Sequence, residues 1–430
     1  MSLQAFRGAI LHFLPAQAGV AAPAYFADGL LLVDNGKVVA AGDYAALWPT
    51  LAADTPLTDY TGKLILPGFI DPHIHYPQTD VIAAHGTQLL DWLERYTFPT
   101  EQRFADADHA TEVADFFLDE LLRNGTTTAL VFGSVHRASM DAFFAAAQAR
   151  NLRMLGGKVM MDRHCPDYLR DTPESAYADS VALIERWHGQ DRLAYALTPR
   201  FAITSSDAQL AKIGELARAY PDVHIQSHLA ENIHEIAWVA ELFPWSRSYL
   251  DVYDHYGLLR ERAVYAHCIY LDPTDRQRMA DSGAVAAFCP TSNLFLGSGL
   301  FDLNGTLAAG VRVALATDVG GGTSFSLLRT LAEAYKIGQL RGDTLSAVHG
   351  FYLATLGNAQ TLGLDAHIGN FEPGKEADFV VLDPAATALM ARRSACARNL
   401  EEQLFILMML GDDRSVAATY ILGECAHART

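Results

Sequence analysis

Between Ile65 and Asp318 the sequence alternates short apolar runs, rich in β-branched residues or Ala, with longer amphipathic stretches of helical period. Few architectures accept that alternation, because it is the mark of repeated βα units. The candidate strands are "LILPGFIDPHIH", "TTTALVFG", "RMLGGKVMMD", "LAYALTPRF", "VHIQSHLA", "AVYAHCIYL", "AVAAFCP" and "VRVALATD". Eight parallel strands, each followed by a helix, close an α/β fold of the (β/α)8 TIM-barrel type. A doubly wound open sheet competes, but no G-x-G-x-x-G follows the first strand, and a count of eight favours closure.

The flanks have a different period. "GLLLVDNGKVVAAGD" near the start, and "GNFEPGKEADFVVLDP" and "VAATYILGEC" near the end, read as alternating strands joined by Asn-Gly and Pro-Gly turns. They predict a small β-sandwich domain composed of residues 1–66 and 368–430, with the barrel spanning 67–367. A chain of 430 residues exceeds the roughly 250–300 that one core usually serves, which agrees with two units. "SACARNLEEQLFILMML" predicts a helix between the last two flanking strands. At the N-terminus, Arg7 precedes "GAILHFLPAQAGVAAPA", which imitates a signal peptide, but His12, Pro15 and Gln17 interrupt its apolar core.

After the first strand, roughly thirty residues from Tyr76 to Ala105 precede the next helix, far more than an ordinary βα loop. This loop carries the aromatic-rich "LLDWLERYTFPTE", on the barrel face where loops carry function.

"PGFIDPHIH" places His73 and His75 two residues apart on a strand, so both side chains leave the same face near its carboxyl end. A His-x-His alone is a short motif. Other strand ends add to it: His228 closes the fifth strand, His267 the sixth and Asp318 the eighth. His73, His75, His228 and Asp318 offer neutral nitrogens and a carboxylate at one rim, which suits Zn²⁺ with a position left for water. Iron or manganese would accept the same donors. Glu231, three residues past His228, is placed to carry protons beside such a centre, or else to cap the following helix.

Several other patterns carry no chemistry. His234 begins "HEIAW", but Trp238 stands where a zincin needs its second His. Cys289 lacks the following Cys of a P-C-x-x-C zinc site. Lys158 falls on the third strand, not the fourth where a carbamylated lysine is expected, and the glycines of "VGGGTSF" lack the Lys of a P-loop. The remaining histidines lie away from the strand ends and read as core or surface residues. With 50 acidic against 32 basic residues, a net charge of −18 and no basic run, nucleic acid is not an expected partner. No apolar run reaches the ~18–20 residues of a membrane helix. Five scattered cysteines without a CxxC suggest neither a disulfide framework nor a cysteine zinc site, and fit a reducing cytoplasm.

With these residues in view the chain resembles the amidohydrolase superfamily over essentially its whole length, and within it the guanine deaminases. "PGFIDPHIH", the strand-end His and Asp set and the "PGKEADFVVLD" tail carry the general likeness. "LLDWLERYTFPTE", "GKVMMD", "TPRF", "QSHLAEN" and "ATDVGGGTSFS" carry the specific one. The resemblance implies one Zn²⁺ per chain on His73, His75, His228 and Asp318, with Glu231 as proton shuttle. Asp318 would also take a proton from the attacking water, and His267 would orient that water. Gln78, Arg200 and Phe201 would hold a purine, with Trp92 adding apolar area. The implied reaction is hydrolysis of guanine to xanthine and ammonia by a homodimer. A sister enzyme acting on 8-oxoguanine, a triazine or a pteridine is the alternative, and a scaffold without activity is the remote one. One departure is Cys268 in "HCIYL", where the resemblance predicts Gly; along a strand it would point away from His267.

Overall fold

The computed structural model describes residues 3–15, 22–86 and 88–429. Four strands open the chain: β1 (Gln4–Leu14), β2 (Ala22–Asp34), β3 (Lys37–Asp43) and β4 (Leu57–Pro67). His12 lies inside β1 and Pro15 follows it, whereas Gln17 is outside the described residues. Asn35 and Gly36, both at positive φ (49° and 75°), make the tight β2–β3 turn that Asn-Gly predicts.

The barrel strands follow: β5 (Phe69–His75), β6 (Thr126–Phe132), β7 (Arg153–Gly157), β8 (Val159–Met160), β9 (Ala194–Pro199), β10 (His224–Leu229), β11 (Ala263–His267), β12 (Val285–Phe288) and β13 (Arg312–Leu315). Near the end come β14 (Phe379–Leu382), β15 (Val416–Ile421) and β16 (Glu424–Ala428).

All pairings in the barrel sheet are parallel, in the order β5-β6-β7-β9-β10-β11-β12-β13, with β8 beside β9. The seam between first and last strands closes by other means. Asp318 N donates to His73 O at 3.0 Å and His75 N to Val319 O at 2.6 Å. Lower down, the Asn358 amide donates to Ile70 O (2.7 Å) and Leu315 O (2.8 Å) and accepts from Leu315 N (3.0 Å), replacing missing ladder bonds with one side chain.

The second sheet is mixed, ordered β16-β15-β14-β4-β1-β2-β3, and so is built from both ends of the chain. Its β1 and β15 are three strands apart, about 14 Å if the sheet were flat. Yet the Phe6 and Tyr420 rings sit 5.1 Å apart around Phe379, so the sheet curls over its own apolar face.

Three expectations need correction. "LILPGFIDPHIH" is two strands: Leu64–Pro67 belong to the small sheet, Phe69–His75 to the barrel. Gly68 makes the crossing, where a Cβ would sit 2.1 Å from Thr127 Oγ1. The helix expected over "SACARNLEEQLFILMML" starts only at Leu400, because Asn399 caps it by accepting from Glu402 N. The long loop is not irregular throughout, since Leu89–Ala105 form consecutive helical turns.

The "PGKEADFVVLD" tail earns its place through charge. Glu376 accepts from Arg153 Nε (2.9 Å) and Nη2 (2.6 Å) and pairs with Arg192 (2.8 Å), which also bonds Asp378. Burial would raise the Glu376 carboxyl, but Arg153 and Arg192 outweigh it and hold it at about 2. A depressed carboxylate stabilises above its unfolded pKa, and that stability is lost as pH falls toward the folded one. We expect the wild-type protein to lose on the order of 2 kcal/mol here between about pH 5 and pH 2, after discounting for solvent. Thermal melts checking this should show a smaller acid-dependent drop for Glu376→Gln, which starts less stable at neutral pH.

Candidate metal centre and active site

The barrel gathers its polar exceptions into one cleft. His73 and His75 end β5, His228 lies at the end of β10, His267 ends β11, and Asp318 stands three residues beyond β13. The backbone turns sharply where it delivers them: Ala230, His267, Cys268 and Asp318 all have φ between 51° and 71°. For a residue with a Cβ that region costs roughly 1–2 kcal/mol, and such strain persists where the surroundings over-determine the backbone. Cys268 thus occupies a left-handed position that suits Gly, beyond the strand and not alternating along it as the sequence suggested.

Four donor atoms converge. His73 Nε2 and His75 Nε2 are 3.3 Å apart, as are His75 Nε2 and His228 Nε2. Asp318 Oδ1 lies 3.2 Å from His73 Nε2 and 3.3 Å from His75 Nε2. Donor atoms this close together can share one divalent ion at the usual ~2.0–2.2 Å from each.

Protonation agrees. Burial lowers His75 to about 3, and burial together with the neighbouring His73, His75 and His267 lowers His228 well below its usual value. Burial alone would raise Asp318, but His73 and His75 hold it well below the usual carboxylate range. A neutral His75 and a neutral His228 beside an ionised carboxylate are what a divalent cation requires. His228 Nδ1–H donates to Arg200 O at 2.6 Å, which turns the Nε2 lone pair toward the centre. These residues could therefore hold a metal ion.

Beside the centre, Glu231 is buried, and burial raises its carboxyl to about 8, with the Asp318 charge adding to the rise. Its Oε1 accepts from Ser298 Oγ at 2.7 Å, and its Oε2 lies 3.4 Å from His267 Nε2. The helix-cap reading of Glu231 does not hold: Asn232 is the cap, and Glu235 completes the capping box. Glu235 also accepts from Glu231 N at 3.0 Å, fixing the backbone under it. His267 Nδ1 meets Asn293 Oδ1 at 2.9 Å, leaving Nε2 toward Glu231 and Asp318.

Gln78, Trp92, Arg200 and Phe201 line the same cleft with Leu89, Leu93 and Leu296. Gly320, Gly321 and Gly322 have no room for a Cβ, which would meet Gln78 O, Ser292 Oγ or Thr317 O within 2.7 Å. Among the patterns set aside, Lys158 is buried and donates to Asp171 at 2.7 Å, and His224 meets Leu362 O at 2.9 Å.

Sequence reasoning missed Glu101. It ends "TFPTE", is fully buried and bonds both Arg200 and Gln78. Its signal was indirect: an arginine at a barrel strand end needs a buried counter-charge, and the facing loop supplies a carboxylate.

Comparison with known proteins agrees with this geometry. Residues 64–425 match the amidohydrolase family. The chain is 53% identical to guanine deaminase of Escherichia coli over 405 residues, 94% of this chain and 92% of that one. The solved E. coli guanine deaminase superposes with a TM-score of 0.97 at 50% identity, covering 99% of this chain and 100% of that one. The structure of guanine deaminase from C. acetobutylicum with bound guanine in the active site gives a TM-score of 0.88 at 29% identity, over 99% and 100% of the two chains. On a closed barrel with this donor set at its mouth and these likenesses along its length, the chain belongs to the amidohydrolase family, among its guanine deaminases.

Proposed function

We propose that the protein hydrolyses guanine to xanthine and ammonia with one Zn²⁺ held by His73, His75, His228 and Asp318. The observation that carries this reading is one cleft joining that donor set, the buried Glu231 and the paired Arg200 and Gln78. A bound zinc ion supplies a water whose pKa falls toward ~7.

The protein's own groups do the rest. Asp318, ionised beside its histidines, accepts a proton from the attacking water, and His267 orients that water through the nitrogen Asn293 leaves free. Glu231, raised to about 8, can hold a proton near neutrality and give it to the ring nitrogen beside C2, where xanthine keeps it. The carboxylate so freed can take the hydroxyl proton of the tetrahedral centre and hand it to the departing amine. Arg200 donates to the purine carbonyl and Gln78 borders the ring's polar edge, while Phe201 and Trp92 cover the flat ring. Free cysteines throughout suit a cytoplasmic setting.

Ammonia release from the metal-loaded enzyme across guanine, 8-oxoguanine, triazines and pteridines tests the assignment. Guanine should give the highest kcat/KM, and a preference for another ring would overturn the substrate while leaving the chemistry intact. Arg200→Ala should raise KM for guanine by about 10–100-fold, the scale of a hydrogen bond to a charged group, with a smaller change in kcat. Steady-state kinetics with guanine checks it.

A further inference from the structure

Arg200 is 2% exposed, and among the described residues its side chain bonds one group only, the Glu101 carboxylate. Both carboxylate oxygens, at 2.8 and 2.9 Å, fall on Nη1, so the remaining guanidinium donors stay available to the cleft that Arg200 lines. The same carboxylate accepts from Gln78 Nε2 at 3.1 Å, and Gln78 Oε1 accepts from Gly320 N at 3.3 Å. Both polar residues assigned to the purine thus lean on one carboxylate. It comes from the long loop after β5, which also brings Leu89, Trp92 and Leu93 to the cleft.

Charge matters as much as placement. A guanidinium without a counter-ion in a water-poor cleft draws anions strongly. One neutralised on its far side still donates hydrogen bonds to a carbonyl but offers an anion little net attraction. Guanine is neutral at physiological pH, whereas more highly oxidised purines such as urate are anionic.

We propose that Glu101 is a positioning and specificity-determining residue, which fixes Arg200 and Gln78 for a neutral purine and cancels the Arg200 charge so that anionic purines are disfavoured. This rests on the guanine reading above.

The test uses the full-length, metal-loaded enzyme with Glu101→Gln, Glu101→Asp and Arg200→Gln. Three quantities are measured at neutral pH: kcat and KM for guanine, and the inhibition constants of hypoxanthine (neutral) and urate (anionic). Glu101→Gln should raise guanine KM at least about tenfold, with kcat falling less, and should shift the urate-to-hypoxanthine ratio about tenfold toward urate. Arg200→Gln, which leaves Glu101 unbalanced, should shift that ratio the other way. Glu101→Asp keeps the charge but shortens the reach, so KM should rise while the ratio stays near wild type. This variant keeps the test open if Glu101→Gln does not fold. An unchanged KM in Glu101→Asp overturns the positioning role, and a ratio that Glu101→Gln or Arg200→Gln leaves unmoved overturns the charge role. A wild-type enzyme that does not release ammonia from guanine would instead overturn the reading beneath it.

Discussion

Glu231→Gln should bind metal as the wild type does and lose at least about 10²–10⁴ in kcat on guanine, the usual contribution of general acid–base catalysis. The variant is nearly isosteric and can still accept from Ser298 Oγ, which lies 2.7 Å from Oε1, so the cleft keeps its shape. What it loses is the ability to take and return a proton. Guanine makes that loss severe, because the C2 carbon of a guanidine-like ring is a poor electrophile unless the adjacent nitrogen is protonated, and ammonia leaves only after the amine is. Two readings of one sample decide the matter: metal content per chain by elemental analysis, and kcat from ammonia release. Near-native turnover at full metal occupancy would end the shuttle role for Glu231.

The cluster of candidate donors could be found in the sequence because each is a polar exception in an apolar strand and each sits at or just past a strand's carboxyl end, where a barrel presents its site. Periodicity therefore located His73, His75, His228, His267 and Asp318 without any knowledge of contacts. Glu101 carries no such mark. It lies in a helical turn of a long loop, and its role exists only because Arg200, 99 positions away, is buried against it. Asn358, which bridges the barrel seam from outside the strands, was hidden for the same reason. The split of the first predicted strand at Gly68 escaped because both halves are apolar, and hydrophobic pattern does not say which of two sheets a strand joins. The late start of the helix at Leu400 was partly legible, since Asn399 is a good cap with Glu402 three residues on, but the apolar run beyond it masked the signal.

Asp318→Asn should be the most damaging single change at the centre, with a loss of kcat of at least about 10⁴, because the proposed function gives one carboxylate two roles there. Its Oδ1 stands 3.2–3.3 Å from His73 and His75, where a metal ligand belongs, and its Oδ2 faces His267 at 3.7 Å, where an attacking water would give up its proton. An amide keeps the size, weakens the charge that favours a dication, and removes the base. The two roles separate experimentally: metal affinity, measured by competition with a chelator, reports the ligand, and turnover at saturating zinc reports the base. Full recovery of kcat by added zinc would mean that Asp318 holds the ion and does nothing more. The double variant with Glu231→Gln then shows whether the carboxylates act as one proton-transfer unit. If they do, it should be scarcely slower than Asp318→Asn alone, because a relay already broken at one end loses little when the other is cut.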